Sequence, residues 1–213
     1  MVKTIGINKA ITNLNEAQNK LNLTQTYAPD FFTEWFENLP ELTDNEKTSL
    51  NRLKSRYLYY AADDAITEGT VNIIMLSPLL ELMGLCDPPF KIQSEELVKV
   101  EIQNGGEEEL MLEGFIDALV VQNRFWVVLI ESKRYGFSVM QALPQTLTYM
   151  MANPNLEIPI FSMITTGEDY IFLKLNNQQR LYALSNKFTL SNPQKNEMYE
   201  VMQVMKRIIS LYV

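Results

Sequence analysis

Three charged residues near the middle of the chain have the types and spacing that divalent-metal chemistry requires. Asp117 is embedded in the apolar run 114–121, and Glu131 ends the apolar run 125–131, with Lys133 two places further on. Two carboxylates can hold Mg²⁺, which polarises a phosphoryl oxygen and lowers the pKa of a bound water. A neighbouring lysine can orient or deprotonate that water, or stabilise the charge that develops on the phosphate. This Asp-Glu-Lys trio therefore predicts metal-assisted chemistry at a phosphoryl group.

Both apolar runs have the composition of central β-strands that helices cover on both faces. Side chains alternate along a strand, so Glu131 and Lys133 point the same way. The polar triplet 122–124 has hairpin length, and a hairpin there places Asp117 beside the Glu131 end. A charged carboxylate among apolar residues costs free energy unless it is paired or bound to a metal. We therefore expect the trio to converge at one edge of a buried sheet.

A purely structural interpretation of the same residues stays open. An acidic residue two places before a lysine is expected about once by chance in a chain of this composition. Of the 26 acidic residues here, only Glu131 has that spacing. Glu131 and Lys133 could form a buried ion pair that closes a strand, while Asp117 makes an unrelated turn or cap.

The composition narrows the chemistry further. The chain has no histidine, which excludes Ser-His-Asp and Cys-His catalysis and zinc sites built with imidazole. Its one cysteine, Cys86, excludes an internal disulfide and a thiolate zinc site, and fits a reducing cytoplasm. Acid–base or metal chemistry must then come from carboxylates, lysine, tyrosine or water. The expected cofactor is Mg²⁺ or Mn²⁺.

The charge balance bears on the partner. With 18 basic and 26 acidic side chains, the net charge is −8, whereas a domain that holds DNA by bulk electrostatics is usually basic. Contact with nucleic acid would need a local basic patch, an oligomer or a partner protein. The basic cluster of Arg52, Lys54 and Arg56 is one candidate, although solvated helix charges also explain it.

Neither a membrane span nor a secretion signal is expected. No stretch approaches the roughly 20 apolar residues that cross a bilayer. The N-terminus has no apolar segment behind Lys3. Together with the single cysteine, these features predict a cytoplasmic protein without membrane contact.

The first part of the chain has helical patterns. The first 60 residues predict helices at 8–21, from Pro29, and after an N-cap at Thr43. A further helix is expected from about 70 to 83, kinked at Pro78.

From residue 97 onwards the pattern changes to strands with one intervening helix. In chain order we predict strands at 97–102, 110–121 and 125–132, a helix at 139–151, and strands at 158–165, 170–175 and 180–184. A last helix is expected from Pro193, with a methionine-rich apolar stripe. An ordinary core-facing helix explains that stripe, and a dimer seam or partner groove is the alternative.

Around Asp117, Glu131 and Lys133 the chain resembles the PD-(D/E)xK phosphodiesterase superfamily. Within it, the chain is similar to the nuclease domain of type I restriction enzyme R subunits and their stand-alone relatives. The family's two-part motif is matched by Asp117 and by Glu131-Ser132-Lys133. Ile116 stands where the family name has proline, which is a common substitution.

Two further motifs carry the resemblance. The family's upstream helix often begins with Thr-Glu and ends in Leu-Leu-x-x-Leu-Gly, and it resembles residues 67–70 and 79–84 here. A Gln-x-x-x-Tyr motif on the helix after the lysine is matched by Gln145 and Tyr149. The similarity covers about residues 66–166.

The resemblance implies an α/β (α+β) fold with a restriction-endonuclease-like αβββαβ core and a mixed central sheet flanked by helices. The C-terminal helix lies outside the resemblance and is expected from its apolar stripe alone. We expect a single domain, 1–213. It would consist of a helical N-terminal extension at 1–60, a nuclease-like core at 66–166, and a C-terminal hairpin and helix at 167–213.

The resemblance also implies roles for three residues outside the trio. Glu68 becomes an additional metal-side acid beside Asp117 and Glu131, although its helix-start position equally suits a capping carboxylate. Gln145 would reach the active-site phosphate or water, and Tyr149 would support it. Without the family, a polar stripe at i and i+4 on a surface helix is ordinary.

The implied activity is metal-dependent phosphodiester hydrolysis of DNA by an endonuclease of restriction or defence type. No helicase or translocase motif is present, so ATP-driven translocation is not implied. A homodimer, or association with a motor or specificity subunit, stays open. The alternative is a catalytically inactive nuclease fold used as a binding or assembly module, which the net charge of −8 favours and the intact trio opposes. A structural interaction protein with a chance motif match is the third hypothesis.

Overall fold

Nine strands form one mixed sheet in the residues that the computed structural model describes, namely 3–63, 65–103, 109–122, 125–134 and 136–212. In chain order the strands are β1 Lys3–Gly6, β2 Thr24–Gln25, β3 Phe90–Gln103, β4 Glu109–Gln122, β5 Phe125–Ser132, β6 Ile160–Thr165, β7 Asp169–Asn176, β8 Leu181–Leu184 and β9 Phe188–Thr189.

Helices cover both faces of this sheet. They are α1 Ile7–Ala10, α2 Leu14–Leu21, α3 Asp44–Ala61, α4 Glu68–Val71, α5 Ser77–Leu82, α6 Val139–Met150 and α7 Met198–Ile209, with a π-helical turn at Asn72–Leu76 between α4 and α5. Side chains of α3, α5 and α7 form one core with one face, and those of α1, α2 and α6 form a second core with the other. The fold is a mixed α/β architecture, as the sequence predicts. No helix of the described residues is long and apolar enough to cross a bilayer.

The long strand β4 organises the sheet. One edge of β4 pairs antiparallel with β3 along nearly its whole length. The other edge pairs parallel with β1 at residues 110–113 and antiparallel with β5 at residues 118–122. Residues 114–117 therefore have no described strand beside them on that edge. We call this interval the notch.

The remaining strands extend the sheet away from the notch. β5 pairs parallel with β6, and β6, β7 and β8 follow antiparallel, with β2 at the far edge. A parallel pair needs a crossover connection, and α6 supplies it. Residues 127–130 of β5 are completely buried, as expected for a strand covered on both faces.

The predicted elements around the trio agree closely with the structure. β4, β5 and α6 lie within a few residues of their predicted bounds. Thr43 begins α3 with a capping box to Glu46, and this reciprocal pairing satisfies two backbone N–H groups of the first turn. The methionine-rich stripe of α7 is buried in the core, so the core-facing interpretation is confirmed.

Other predictions are wrong. The first 60 residues, expected to be helical, contribute β1 and β2 to the sheet. Residues 29–36 form turns instead of a helix. Only ten residues separate Pro29 from Pro40, a length at which helices are marginal, and turns suffice to bury Phe32 to 3% exposure.

The helix expected at 70–83 begins earlier, at Glu68, and the π-helical turn interrupts it just before Pro78. A wider turn accommodates the proline ring and its missing N–H. Gly84, with φ +72°, ends the segment as expected. Most of the predicted hairpin at 122–124 lies outside the described residues.

Candidate active site

A cavity of about 580 Å³ opens at the notch. The wall includes the β1–α1 connection at one end and the carboxyl end of β5 at the other. The structure brings together in it all the residues that the sequence singled out, which are Glu68, Asp117, Glu131, Lys133, Gln145 and Tyr149. Their catalytic roles stay predictions, but their convergence is a structural finding.

Strand register places the two carboxylates of the trio side by side. Ala118 pairs with Ile130, so Asp117 and Glu131 are the next residues along the two antiparallel strands. The Asp117 Oδ2 atom accepts hydrogen bonds from the backbone nitrogen of Ser132 at 2.7 Å and from its hydroxyl at 3.0 Å. Both bonds use Oδ2, which leaves Oδ1 as the oxygen available to a ligand.

Glu131 is 0% exposed, and its two oxygens have different surroundings. Oε1 accepts a hydrogen bond from the Lys133 ammonium at 2.5 Å. Oε2 is buried and has no hydrogen-bond partner among the described residues. Burial, and then the charge of Asp117, raise the pKa of Glu131 to about 8, although Lys133 opposes the shift. A buried polar atom without a partner is costly, so this oxygen calls for a ligand.

Lys133 is held in place through its backbone and its side chain. Its N–H donates to the carbonyl of Thr165 on β6 at 2.8 Å, just beyond the end of β5. Burial alone would lower the pKa of Lys133, but the charges of Glu131, Asp117 and Glu68 raise it. The lysine is therefore a cation in the protein without bound metal.

Glu68 enters the cavity from the start of α4. Thr67 caps this helix by accepting a hydrogen bond from the Thr70 N–H at 3.2 Å, which sets the direction of the first turn. Burial raises the pKa of Glu68, Lys133 lowers it and Asp117 raises it. The carboxylate thus lies close enough to feel the charges of the trio, and it is also at the helix position where a negative charge is favourable.

Gln145 and Tyr149 form one unit on α6. Their i, i+4 spacing puts them on one face of the helix, and the Gln145 amide donates to the Tyr149 hydroxyl at 2.5 Å. Burial, followed by the charge of Glu131, raises the pKa of the Tyr149 hydroxyl, which therefore stays protonated. The ring packs against Gly114, where an added Cβ would lie 2.8 Å from Tyr149 Cε1. A glycine in the notch is therefore what lets the ring approach the sheet.

The donor set fits an open magnesium or manganese site. Mg²⁺ is usually bound by one or two carboxylates, with water and substrate phosphate oxygens completing its shell. Glu131 Oε2 and Asp117 Oδ1 are the two carboxylate oxygens of the trio that accept no hydrogen bond from the residues described by the structure. Across the described ranges, no group of three or more acidic or cysteine side chains stands in metal-binding arrangement. The residues thus suit two-carboxylate ligation and not a cage made by protein alone.

Three polar residues of the cavity wall, and Ser132 next to it, were not singled out in the sequence. Asn8 and Lys9 on α1, with Glu113 beside them on β4, line its far end. No sequence signal identifies the first two, because the four-residue strand before α1 is too short for a periodic pattern. Ser132 forms the two hydrogen bonds to Asp117, and its position inside the Glu-x-Lys tripeptide was the available signal.

Comparisons with known proteins give little beyond this geometry. No protein-family model matches the chain, and no curated protein matches it. Among solved structures, it is similar to a fragment assigned to the HsdR subunit of a type I restriction enzyme from Vibrio vulnificus, at 17% identity and a TM-score of 0.41. The match covers 68% of this chain and 26% of that one, so the chain spans about a quarter of its length. At that identity and score the likeness supports neither a shared activity nor a shared substrate.

Proposed function

We propose that this chain hydrolyses phosphodiester bonds of DNA with Mg²⁺ or Mn²⁺, as an endonuclease of restriction or defence type in the cytoplasm. The observation that carries the proposal is the buried Oε2 of Glu131, which has no partner among the described residues, in a residue that lines a cavity with Asp117 and Lys133. An oxygen in that condition is stabilised by a cation that enters from the cavity.

The proposed core is of restriction-endonuclease type. Its support is the chain order of α4–α5, β3, β4, β5, α6 and β6, which is the αβββαβ order that the family resemblance implies. Asp117 and Glu131 lie on the two middle strands of that order, Lys133 lies just beyond the end of the second, and α6 covers the strands with the Gln145–Tyr149 unit.

Each side chain has a task in this proposal. Asp117 and Glu131 would hold the metal ion, which polarises the phosphoryl oxygen and lowers the pKa of its bound water. Lys133, a cation beside them, would stabilise the charge that develops on the phosphate. Gln145, oriented by Tyr149, would position the phosphate or the attacking water. Glu68, which is not arranged with the other two carboxylates as a direct ligand, would act on the metal side through a bound water.

The net charge of −8 means that DNA cannot be held by a basic surface as a whole. Binding would rely on the metal ion and on cations at the cavity. A homodimer or a motor or specificity subunit would add contacts that this chain does not supply by itself.

A specific observation favours a second candidate, an inactive nuclease fold that serves as a binding or assembly module. Ser132 already occupies Asp117 Oδ2, and the described residues offer no third acid arranged with the trio for metal binding. Metal binding distinguishes the nuclease from the inactive binding module, because only the nuclease needs a carboxylate oxygen that is free to bind the metal ion.

The test is a cleavage assay with purified protein on supercoiled plasmid and on single-stranded DNA, each with Mg²⁺, Mn²⁺ or EDTA. We expect cleavage with either metal and none with EDTA. Cleavage that survives EDTA would remove the metal from the mechanism. If no DNA substrate is cleaved and the protein does not bind either metal, the binding module is favoured.

A further inference from the structure

The end of the cavity farthest from Glu131 carries the exposed lysine Lys9. The parallel register pairs Gly6 with Glu113, so α1 begins beside the notch. Lys9, in this helix, is exposed and lines the cavity. It makes no ion pair or hydrogen bond with any residue that the structure describes. By contrast, Lys133 at the other end is engaged by Glu131.

The distance along the notch determines which phosphate of a bound nucleic acid Lys9 can contact. An added Cβ at Gly114 would lie 3.1 Å from Ile7 Cδ1, so α1 rests against β4 at that residue. Strands rise by about 3.3 Å per residue, so Gly114 and Asp117 are about 10 Å apart along β4. Lys9 is therefore suited to a phosphate next to the one held at the trio, and not to the same phosphate.

Phe115 lies between these two ends along β4, with its side chain on the sheet face opposite the one on which Gly114 meets Tyr149. Phe115 is 59% exposed, and its cross-strand neighbour Leu97 is 46% exposed, so the ring faces solvent from an apolar surface. Of the large apolar side chains that stand exposed in the described residues, Phe115 is the one that lines this cavity. Aromatic rings in such positions stack on nucleobases whatever their sequence, and their removal typically weakens binding roughly tenfold or more.

We propose that the α1 end of the cavity is a subsite for the nucleotide that neighbours the cleaved phosphodiester, with Lys9 binding its phosphate and Phe115 stacking on its base. A base can stack there only when it is unpaired. The substrate class is therefore single-stranded DNA, or duplex DNA with an unpaired base at the cut, and the inference rests on the proposed function. Stacking is also the contact least affected by a net charge of −8, since it does not depend on bulk attraction.

The experiment measures the affinity of the full chain for a labelled oligothymidine strand and for the matching duplex, with Ca²⁺ in place of Mg²⁺, over a range of salt. Lys9→Ala is expected to weaken strand binding and to reduce the slope of log affinity against log salt by about 0.7, the value for one phosphate contact on a single strand. Phe115→Ala is expected to weaken strand binding roughly tenfold at every salt concentration. Phe115→Trp should retain it.

Two matched controls come from exposed residues that lie outside the cavity. Lys91→Ala removes a lysine from β3, and Tyr27→Ala removes an aromatic ring that is 84% exposed. Both should bind the strand as the wild type does. Far-ultraviolet circular dichroism of all variants, together with the tryptophan variant at 115, separates loss of the contact from loss of the fold.

Two outcomes overturn the inference, and they differ from failure of the proposed function. Metal-dependent cleavage with unchanged strand affinity in both Lys9→Ala and Phe115→Ala would refute the subsite while the nuclease stands. Equal affinity of the wild type for strand and duplex would refute the substrate class. A wild type that neither cleaves nor binds DNA with any metal would refute the proposed function and the subsite together.

Discussion

Two buried glutamates of this protein have lysine neighbours and opposite surroundings. Glu131, at the cavity, is 0% exposed, and its Oε2 has no partner in the described residues. Glu197, just before α7, is 9% exposed and uses both oxygens: Oε2 accepts from the Thr189 N–H at 2.7 Å and Oε1 from the Asn192 amide at 2.6 Å. Lys195 lies 3.6 Å from Oε1.

The pKa values follow these surroundings in opposite directions. Burial raises the pKa of Glu131 to about 8. Burial also acts to raise that of Glu197, but the hydrogen bonds from Asn192 and Thr189 outweigh it, so its pKa is lowered. Glu197, between β9 and α7, accepts hydrogen bonds from the protein with both of its carboxylate oxygens. The Oε2 atom of Glu131 has no partner among the described residues, and it is the oxygen that the proposed metal ion would bind.

The largest expected effect is on cleavage at the trio. Asp117→Asn keeps an acceptor for Ser132 but removes a charged ligand, so we expect metal-dependent cleavage to fall at least a hundredfold, roughly the loss of one strong transition-state contact. Asp169→Asn is the matched control, because it changes a carboxylate whose lysine partner is Lys187, outside the cavity. Equal cleavage by wild type and Asp117→Asn would show that cleavage does not need the Asp117 carboxylate.

The next effect concerns the stability that Glu197 provides. Glu197→Ala leaves the Thr189 N–H and the Asn192 amide without their acceptor, so urea denaturation should show a loss of about 1–3 kcal/mol in the free energy of unfolding. An unchanged unfolding midpoint would mean that the filled lone pairs contribute nothing. The two glutamates would then not differ in the way proposed.

A smaller effect is expected at Glu131 in the metal-free protein. Glu131→Gln removes a buried group that favours its neutral form and keeps an oxygen for Lys133, so the free energy of unfolding should stay within about 0.5 kcal/mol of the wild type or rise. Urea denaturation in EDTA measures it. A loss of about 3–5 kcal/mol would instead identify a structural ion pair.

The smallest effect is the pH dependence of the Glu197 contribution. Its pKa is lower in the folded protein than in the unfolded chain, so its ionised form stabilises the fold above the unfolded value, near 4.3. That stability is lost as pH falls through the folded value. The difference in melting temperature between wild type and Glu197→Gln should therefore be full at pH 7 and shrink below about pH 4. A difference that stays constant with pH would exclude a charge effect.

Part of this site could be predicted from the sequence. Asp117 and Glu131 could be placed together because both strands are long apolar runs joined by a short hairpin, and the Gln145–Tyr149 bond follows from helical spacing. These relations are local, or nearly so, along the chain. The contact between Gly114 and the Tyr149 ring could not be predicted, since a close approach between a strand and a helix depends on packing.

The far end of the cavity was out of reach for the same reason. β1 has four residues and pairs with β4 more than 100 positions away, so neither its pattern nor its partner can be read locally. Lys9 enters the cavity only through that pairing. The backbone hydrogen bond from Ser132 to Asp117 was also missed, because a backbone N–H leaves no trace in residue type.

The most direct test of the account is a calorimetric titration of the full chain with Mn²⁺, without DNA, for the wild type, Glu131→Gln and the control Glu197→Gln. We predict one ion per chain for the wild type and for Glu197→Gln, and at least tenfold weaker binding for Glu131→Gln, because of these two glutamates only Glu131 lines the cavity and has an oxygen without a partner in the described residues. Equal Mn²⁺ binding by wild type and Glu131→Gln, or none by the wild type, would contradict the claim that this oxygen is a metal ligand.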